Sequence, residues 1–294
     1  QAEGIAILSG GRVKPLLVAA TEGVQEIRGR AGLTRELGPM KSWFALALYG
    51  DTLARQPIVF CANKPLREAI GLDADGQFAS FEDLAANQQL RQLTETADGK
   101  DRQKLRLSPL EKAARETARR LEKFAEARAG TGWRLLPGPT GREAVWRLPQ
   151  EIPVEEIATN PALIGRMESV RNLLLAFAAG DQARFDSAAK FLARNDLLSD
   201  SLSMLGEGQH LRTRPPHVRA ELALVHMHPF RIAWVLLMFA FLAAWIAQSA
   251  ASSAPSFARK SIFGAATVSA LAVAVLVAGF ALRVFVSGRA PVTN

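Results

Sequence analysis

Four histidines, His210, His217, His226 and His228, all fall within twenty residues of the first long apolar run of this chain. A neutral imidazole ligates iron and other metals, and it exchanges protons near neutral pH. Two of the four flank a softer sulfur ligand in Leu224-Val225-His226-Met227-His228-Pro229. On a helix, residues i and i+2 diverge. On an extended segment they share a face. Pro229 disfavours helix at His228, so the spacing predicts an extended mouth to the apolar run, with both rings on one side and able to offer a ligand to iron. The competing reading has both as interfacial histidines, hydrogen-bonded to lipid headgroups or to backbone.

Little else in the chain carries chemistry by its type and spacing. Cys61 is the single cysteine, after Ile58-Val59-Phe60. It excludes an intrachain disulfide, a zinc knuckle and a Cys-x-x-Cys redox pair, and reads as a small buried hydrophobe. No Gly-rich phosphate loop, HExxH or GxSxG string is present, so no catalytic residue is assigned. The net charge of +8 suggests nucleic acid until it is divided along the chain. Residues 229–294 hold Arg231, Arg259, Lys260, Arg283 and Arg289 and no acidic residue, so five of those charges belong there. The remainder is close to balanced, with signs interspersed, and offers no basic stripe to phosphates.

The elements that must position these groups read as mainly helical, with a few short strands. Residues 1–228 form the extramembrane part, with a possible subdivision into 1–104 and 105–228. Apolar spacing predicts a helix from about Lys14 to Gly29, weakened by Gly23. A strand follows over Pro57–Cys61, then a helix from about Pro65 to Gly71. Ser80 and Asp83 open a helix to about Thr94. The charged run 95–104 reads as a surface loop. Ser108-Pro109-Leu110-Glu111 is a capping box for a helix to about Ala129. Its apolar side is Leu110, Ala114, Leu121, Phe124 and Ala125, and its wet side carries Glu111–Arg115 and Glu116–Arg120 pairs. Residues 131–153, with Trp133 and Trp146 around the turn material of 138–143, read as a hairpin or an extended excursion whose Trp rings anchor a core. Helices over about Pro161–Ala179 and Asp181–Arg194 share a short joint at Gly180, which predicts an antiparallel pair.

Residues 229–294 read as a membrane region with spans over about 229–251 and 262–286. Each is long enough at about 1.5 Å per residue to cross roughly 30 Å of hydrocarbon. Basic residues sit at the span edges, where their stems snorkel. The chain starts at Gln1 without a signal-like segment and stops without a polar tail, so the reading is of a piece of a longer protein.

The final string, Gly288-Arg289-Ala290-Pro291-Val292-Thr293-Asn294 with Arg283 shortly before it, resembles a segment of the CcsA-type proteins of cytochrome c assembly. Gly11-Arg12-Val13-Lys14-Pro15-Leu16, Glu22 and Ile27-Arg28-Gly29-Arg30 resemble the amino-terminal motif of fused ResB/CcsA-type (system II) biogenesis proteins. Glu221 with Pro229-Phe230 is similar to the approach to their first span here. The chain departs from that family at Leu17-Val18-Ala19-Ala20 and at Leu224-Val225. It also has no histidine in 262–286, and the Trp-rich haem-handling segment would lie beyond Asn294. The resemblance implies a bacterial inner-membrane protein that delivers haem and attaches it to apocytochrome c, with other biogenesis subunits as partners. His226 and His228 are then the candidate haem ligands, and haem a cofactor of the full-length parent. Whether the parent acts as a haem lyase is left open. A different class remains beside it: a membrane-anchored interaction or scaffold domain without catalytic activity. The positive-inside bias alone would put residues 1–228 in the cytoplasm; the resemblance places them outside it.

Overall fold

The computed structural model describes residues 2–34, 36–136, 147–155, 161–193 and 215–287. It divides into two compact units, residues 1–209 and 210–294. The boundary lies ahead of the one drawn at 228/229 from sequence, and groups the helix before the first span with the spans.

The first unit opens with a hairpin that the sequence reading did not anticipate, β1 (Ala6–Ser9) against β2 (Arg12–Pro15), with Ser9 opposite Arg12. Gly10 and Gly11 make the turn, with φ of 59° and 74°, the left-handed pair that a two-residue hairpin loop requires. Helix α1 (Leu16–Arg28) follows directly and ends on Gly29, at φ 71°. A second helix, α2 (Pro39–Leu53), was also not anticipated. Gly23 explains how it packs. A Cβ there would lie 2.4 Å from the Trp43 ring, so the residue that weakens α1 as a helix former is what lets Trp43 cross it.

The expected strand near 57–61 is β3 (Val59–Phe60), paired with β4 (Phe78–Ala79), and α3 (Lys64–Ala69) lies between them. Buried Arg67 ties this segment together. It donates to the carbonyl of Cys61 at 2.9 Å and to that of Phe78 at 3.3 Å, and also bonds the carbonyl of Asp73.

The single helix expected from Ser80 to Thr94 is two, α4 (Phe81–Ala86) and α5 (Gln88–Arg102). Asn87 separates them. Its Oδ1 accepts from the Leu90 N–H at 2.9 Å and its Nδ2 donates to the Ile70 carbonyl at 2.8 Å. A side chain that competes with the ladder in this way ends one helix and caps the next. The run read as a loop at 95–104 is helical as far as Arg102. Leu90 and Ala97 are buried, and Arg115 on the neighbouring helix meets Asp98 at 3.6 Å and Asp101 at 2.9 Å. Packing has overridden the turn-like Asp98-Gly99 pair.

Helix α6 (Pro109–Arg128) has the full capping box, Glu111 N–H to Ser108 Oγ and Ser108 N–H to Glu111. Its buried side holds Ala114, Thr117, Phe124 and Ala127; Ala125, assigned there from sequence, is exposed. The expected Glu111–Arg115 pair is replaced by Glu111–Lys100, while Glu116–Arg120 forms. The Lys100 hydrogen bond and the Ser108 N–H hold the Glu111 carboxyl below its ordinary range. Protonating a carboxyl whose pKa is depressed on folding removes stability, so this contribution is present above the unfolded pKa and lost as pH falls through the folded one. Ser108→Ala is expected to cost about 1 kcal/mol near neutral pH. In acid, the difference between the two thermal midpoints should shrink. A difference that does not change with pH would leave Glu111 out of the cap.

Helices α7 (Pro161–Ala179) and α8 (Gln182–Leu192) form the expected pair. Gly180 at φ 68° ends the first, and Asp181 accepts from the Arg184 N–H at 3.0 Å to start the second. The main apolar core of the unit joins these helices, and a smaller cluster forms around Leu136, Ile152 and Leu163. In the main core Phe44 stacks on Phe177 at 4.9 Å and meets Trp133 and Phe185 edge-on at 4.9 and 5.6 Å. Trp133 is buried as expected, and an antiparallel bridge joins Leu136 to Arg147. The turn material between those two residues, Trp146 and the stretch 194–214 lie outside the described residues.

The second unit contains α9 (Pro215–Met227), α10 (Pro229–Ala250) and α11 (Pro255–Ser287). Helix α11 starts ahead of the expected 262, so Arg259 and Lys260 are helical and not in a loop; the connection is 251–254. The facing positions are small and recur every seven residues: Ala233, Ala240 and Ala247 on α10, and Ala258, Ala265, Ala272 and Gly279 on α11. A period of seven keeps one seam facing its partner, and small side chains let the backbones approach. At Gly279 the approach is tight, and an added Cβ would lie 3.0 Å from Pro229 Cγ.

Candidate functional site

His228 joins α9 to α10, and its backbone is not extended as the sequence predicted. It adopts φ 43°, ψ 52°. Pro229 bars the ordinary helical conformation before it, and histidine is among the few side chains that tolerate the left-handed region. The helical path is thereby turned rather than straightened. The His228 N–H donates to the Leu224 carbonyl at 3.2 Å, and its own carbonyl accepts from the N–H groups of Arg231 and Ile232 at 2.9 and 3.1 Å. His226 sits in the last turn of α9. The extended backbone on which a common face was predicted is therefore absent, but His226, Met227 and His228 are all exposed at the start of the first span. Phe230 and Trp234 add exposed apolar surface beside them.

The far end of α11 passes this joint. Gly279 lies against Pro229, and Phe280 meets Phe230 edge-on with centroids 5.2 Å apart. The final two turns therefore continue past the start of α10 and pack on α9. There His217 lies flat on Phe285, at 4.2 Å and 13°, with its Nδ1 buried and unpaired. Glu221, one of the residues carrying the resemblance, is buried on α9. His210 and the string Gly288–Asn294 lie outside the described residues.

The amino-terminal motif is brought together as an ion cluster. Lys14, only 4% exposed, pairs with Glu22, and Arg12 reaches the same carboxylate at 3.7 Å. Arg28 lies over the Phe78 ring at 4.4 Å, and burial, with Arg30 nearby, lowers its pKa. These contacts fix the hairpin to α1 and α1 to β4. Cys61 is buried, within 4.0 Å of the Thr117 hydroxyl, as its reading as a small hydrophobe required. Among the described residues no three His, Cys, Asp or Glu side chains converge on a metal position.

Sequence reasoning did not single out Arg166. It is 3% exposed, donates to the Leu135 carbonyl at 3.3 Å, and has Nε and Nη1 unpaired. Burial lowers its pKa to about 10. A cavity of about 410 Å³ near the α7–α8 joint, floored by Phe44, Phe177 and Phe185, was also missed. Its lining is scattered over residues 2–186, with no local motif to reveal it.

What the geometry does define is a class. Both span helices are long and apolar enough to cross a membrane. In a soluble core their large side chains would be inside; here Trp234, Phe239, Phe241, Trp245 and Phe263 are between 63% and 76% exposed, while the alanines are buried. Small residues inward and large apolar residues outward is the arrangement of a helical hairpin in lipid. This is a membrane protein with a helical extramembrane unit. No protein-family model matches the chain, and no curated protein matches it.

Proposed function

We propose that this chain belongs to a protein of cytochrome c assembly, which delivers haem at the membrane and attaches it to apocytochrome c. The observation that carries the reading is the exposed pair His226 and His228 at the mouth of a membrane hairpin, in a chain whose two ends resemble that family. Residues 1–209 would lie outside the cytoplasm, as a docking unit for apocytochrome c or a partner subunit.

The described residues suit haem in a limited way. A single imidazole suffices as an axial ligand, and His226 or His228 would supply it. Met227, Phe230 and Trp234 offer apolar surface to a macrocycle. The remainder of the site would come from elsewhere in the protein. Bound haem supplies the vinyl groups that the substrate's thiols attack; this chain's part is to hold and orient. The His228 joint serves that part, because it ends one helix and starts the next with the imidazole at the junction.

The test uses the full-length protein carrying this chain, purified with His226→Ala and His228→Ala together. The expected result is loss of haem or a shifted Soret band. Unchanged haem content and an unchanged spectrum would leave the membrane-anchored interaction domain as the better reading.

A further inference from the structure

The first turns of α11 carry Ser256, Arg259, Lys260 and Phe263, spaced i, i+3, i+4 and i+7, which is one stripe of a helix. With Ile262 and Ala266 they line a groove of about 760 Å³. The seam residue Ala258 is two positions from Ser256, about 200° around the helix, so the stripe faces away from α10. All six side chains are exposed. In a membrane such a face is covered by lipid, and the composition of the groove says which kind. Its polar end holds two cations and a hydroxyl, and residues 229–294 contain no acidic residue to neutralise them. Its apolar end continues inward. From Ser256 to Ala266 the helix rises about 15 Å, half of a hydrocarbon core about 30 Å thick.

We propose that this face binds one anionic phospholipid. The phosphate is held by Arg259 and Lys260 with the Ser256 hydroxyl, and an acyl chain lies along Ile262, Phe263 and Ala266. Long cationic stems reach back to the headgroup layer from the first turns of a span, and each cation near an anionic surface adds attraction. At the other end of the hairpin Arg231 and Arg283 lie on different helices and serve as the comparison.

The experiment is native mass spectrometry of the full chain released from nanodiscs containing equal phosphatidylglycerol and phosphatidylcholine. Wild type is expected to retain phosphatidylglycerol about tenfold over phosphatidylcholine. Arg259→Gln with Lys260→Gln should abolish the preference, and Arg231→Gln with Arg283→Gln should leave it in place. Inorganic phosphate at millimolar concentration should not displace the lipid. Equal retention of the two lipids by wild type overturns the proposal, as does an equal effect of both double variants, which would mean net charge alone. Displacement by free phosphate also overturns it. If the double variant is not recovered folded, the single substitutions Arg259→Gln and Lys260→Gln decide by the same criterion.

Discussion

Phe44→Ala is expected to lower the stability of the extramembrane unit by about 3–5 kcal/mol. Phe44 is 1% exposed and touches three other aromatic rings from separate parts of the unit. Its removal therefore takes away area burial and ring–ring contacts together, and it leaves a void that Trp133, Phe177 and Phe185 cannot all collapse into. The measurement is hydrogen exchange in the full chain. Protection in α2, α7 and α8 should fall together, and Phe44→Leu should lose much less. A fall confined to α2 would show that the ring cluster does not couple these helices.

Gly279→Leu should separate the membrane helices where α11 packs on Pro229. The new Cβ would meet Pro229 at 3.0 and 3.2 Å and Phe230 at 3.5 Å. A proline ring is fixed to its own backbone, so relief requires the helix to move. Overpacking of this kind costs about 1–3 kcal/mol. Phe263→Leu, on the lipid face, is expected to be nearly neutral. Disulfide trapping between cysteines placed at Ala233 and Ala272 reports the spacing. Equal trapping in wild type and Gly279→Leu would refute the seam.

The two substitutions also mark where sequence was and was not legible. Long apolar runs, the Ser108 box and the Gly180–Asp181 joint are local signals, and the elements they announced are present. Helix α2 was missed because its boundaries rest on Gly38 and Pro39, while its apolar face is set by neighbours distant in sequence. The Gly10–Gly11 hairpin does have a local signal, two glycines between short apolar stretches. Asn87 carries two readings, helix interior or cap, and only its bond to Ile70 decides between them. At the candidate site the sequence correctly located a conformational break before Pro229. It assigned the wrong backbone region, because proline's constraint excludes one conformation without choosing among the others.

The hairpin's arms are unequal, 22 residues in α10 against 33 in α11, or about 33 Å against about 50 Å. A tight turn keeps their joined ends level, so the surplus falls wholly on the side of Pro229. The shorter arm alone is then the gauge of bilayer thickness. In a thicker membrane α10 must draw the bilayer inward around it, at a cost of a fraction of a kcal/mol per ångström, whereas α11 has length in reserve. Any mismatch is thus expected at the joint that carries His228, beside the surplus turns of α11 that pack on α9.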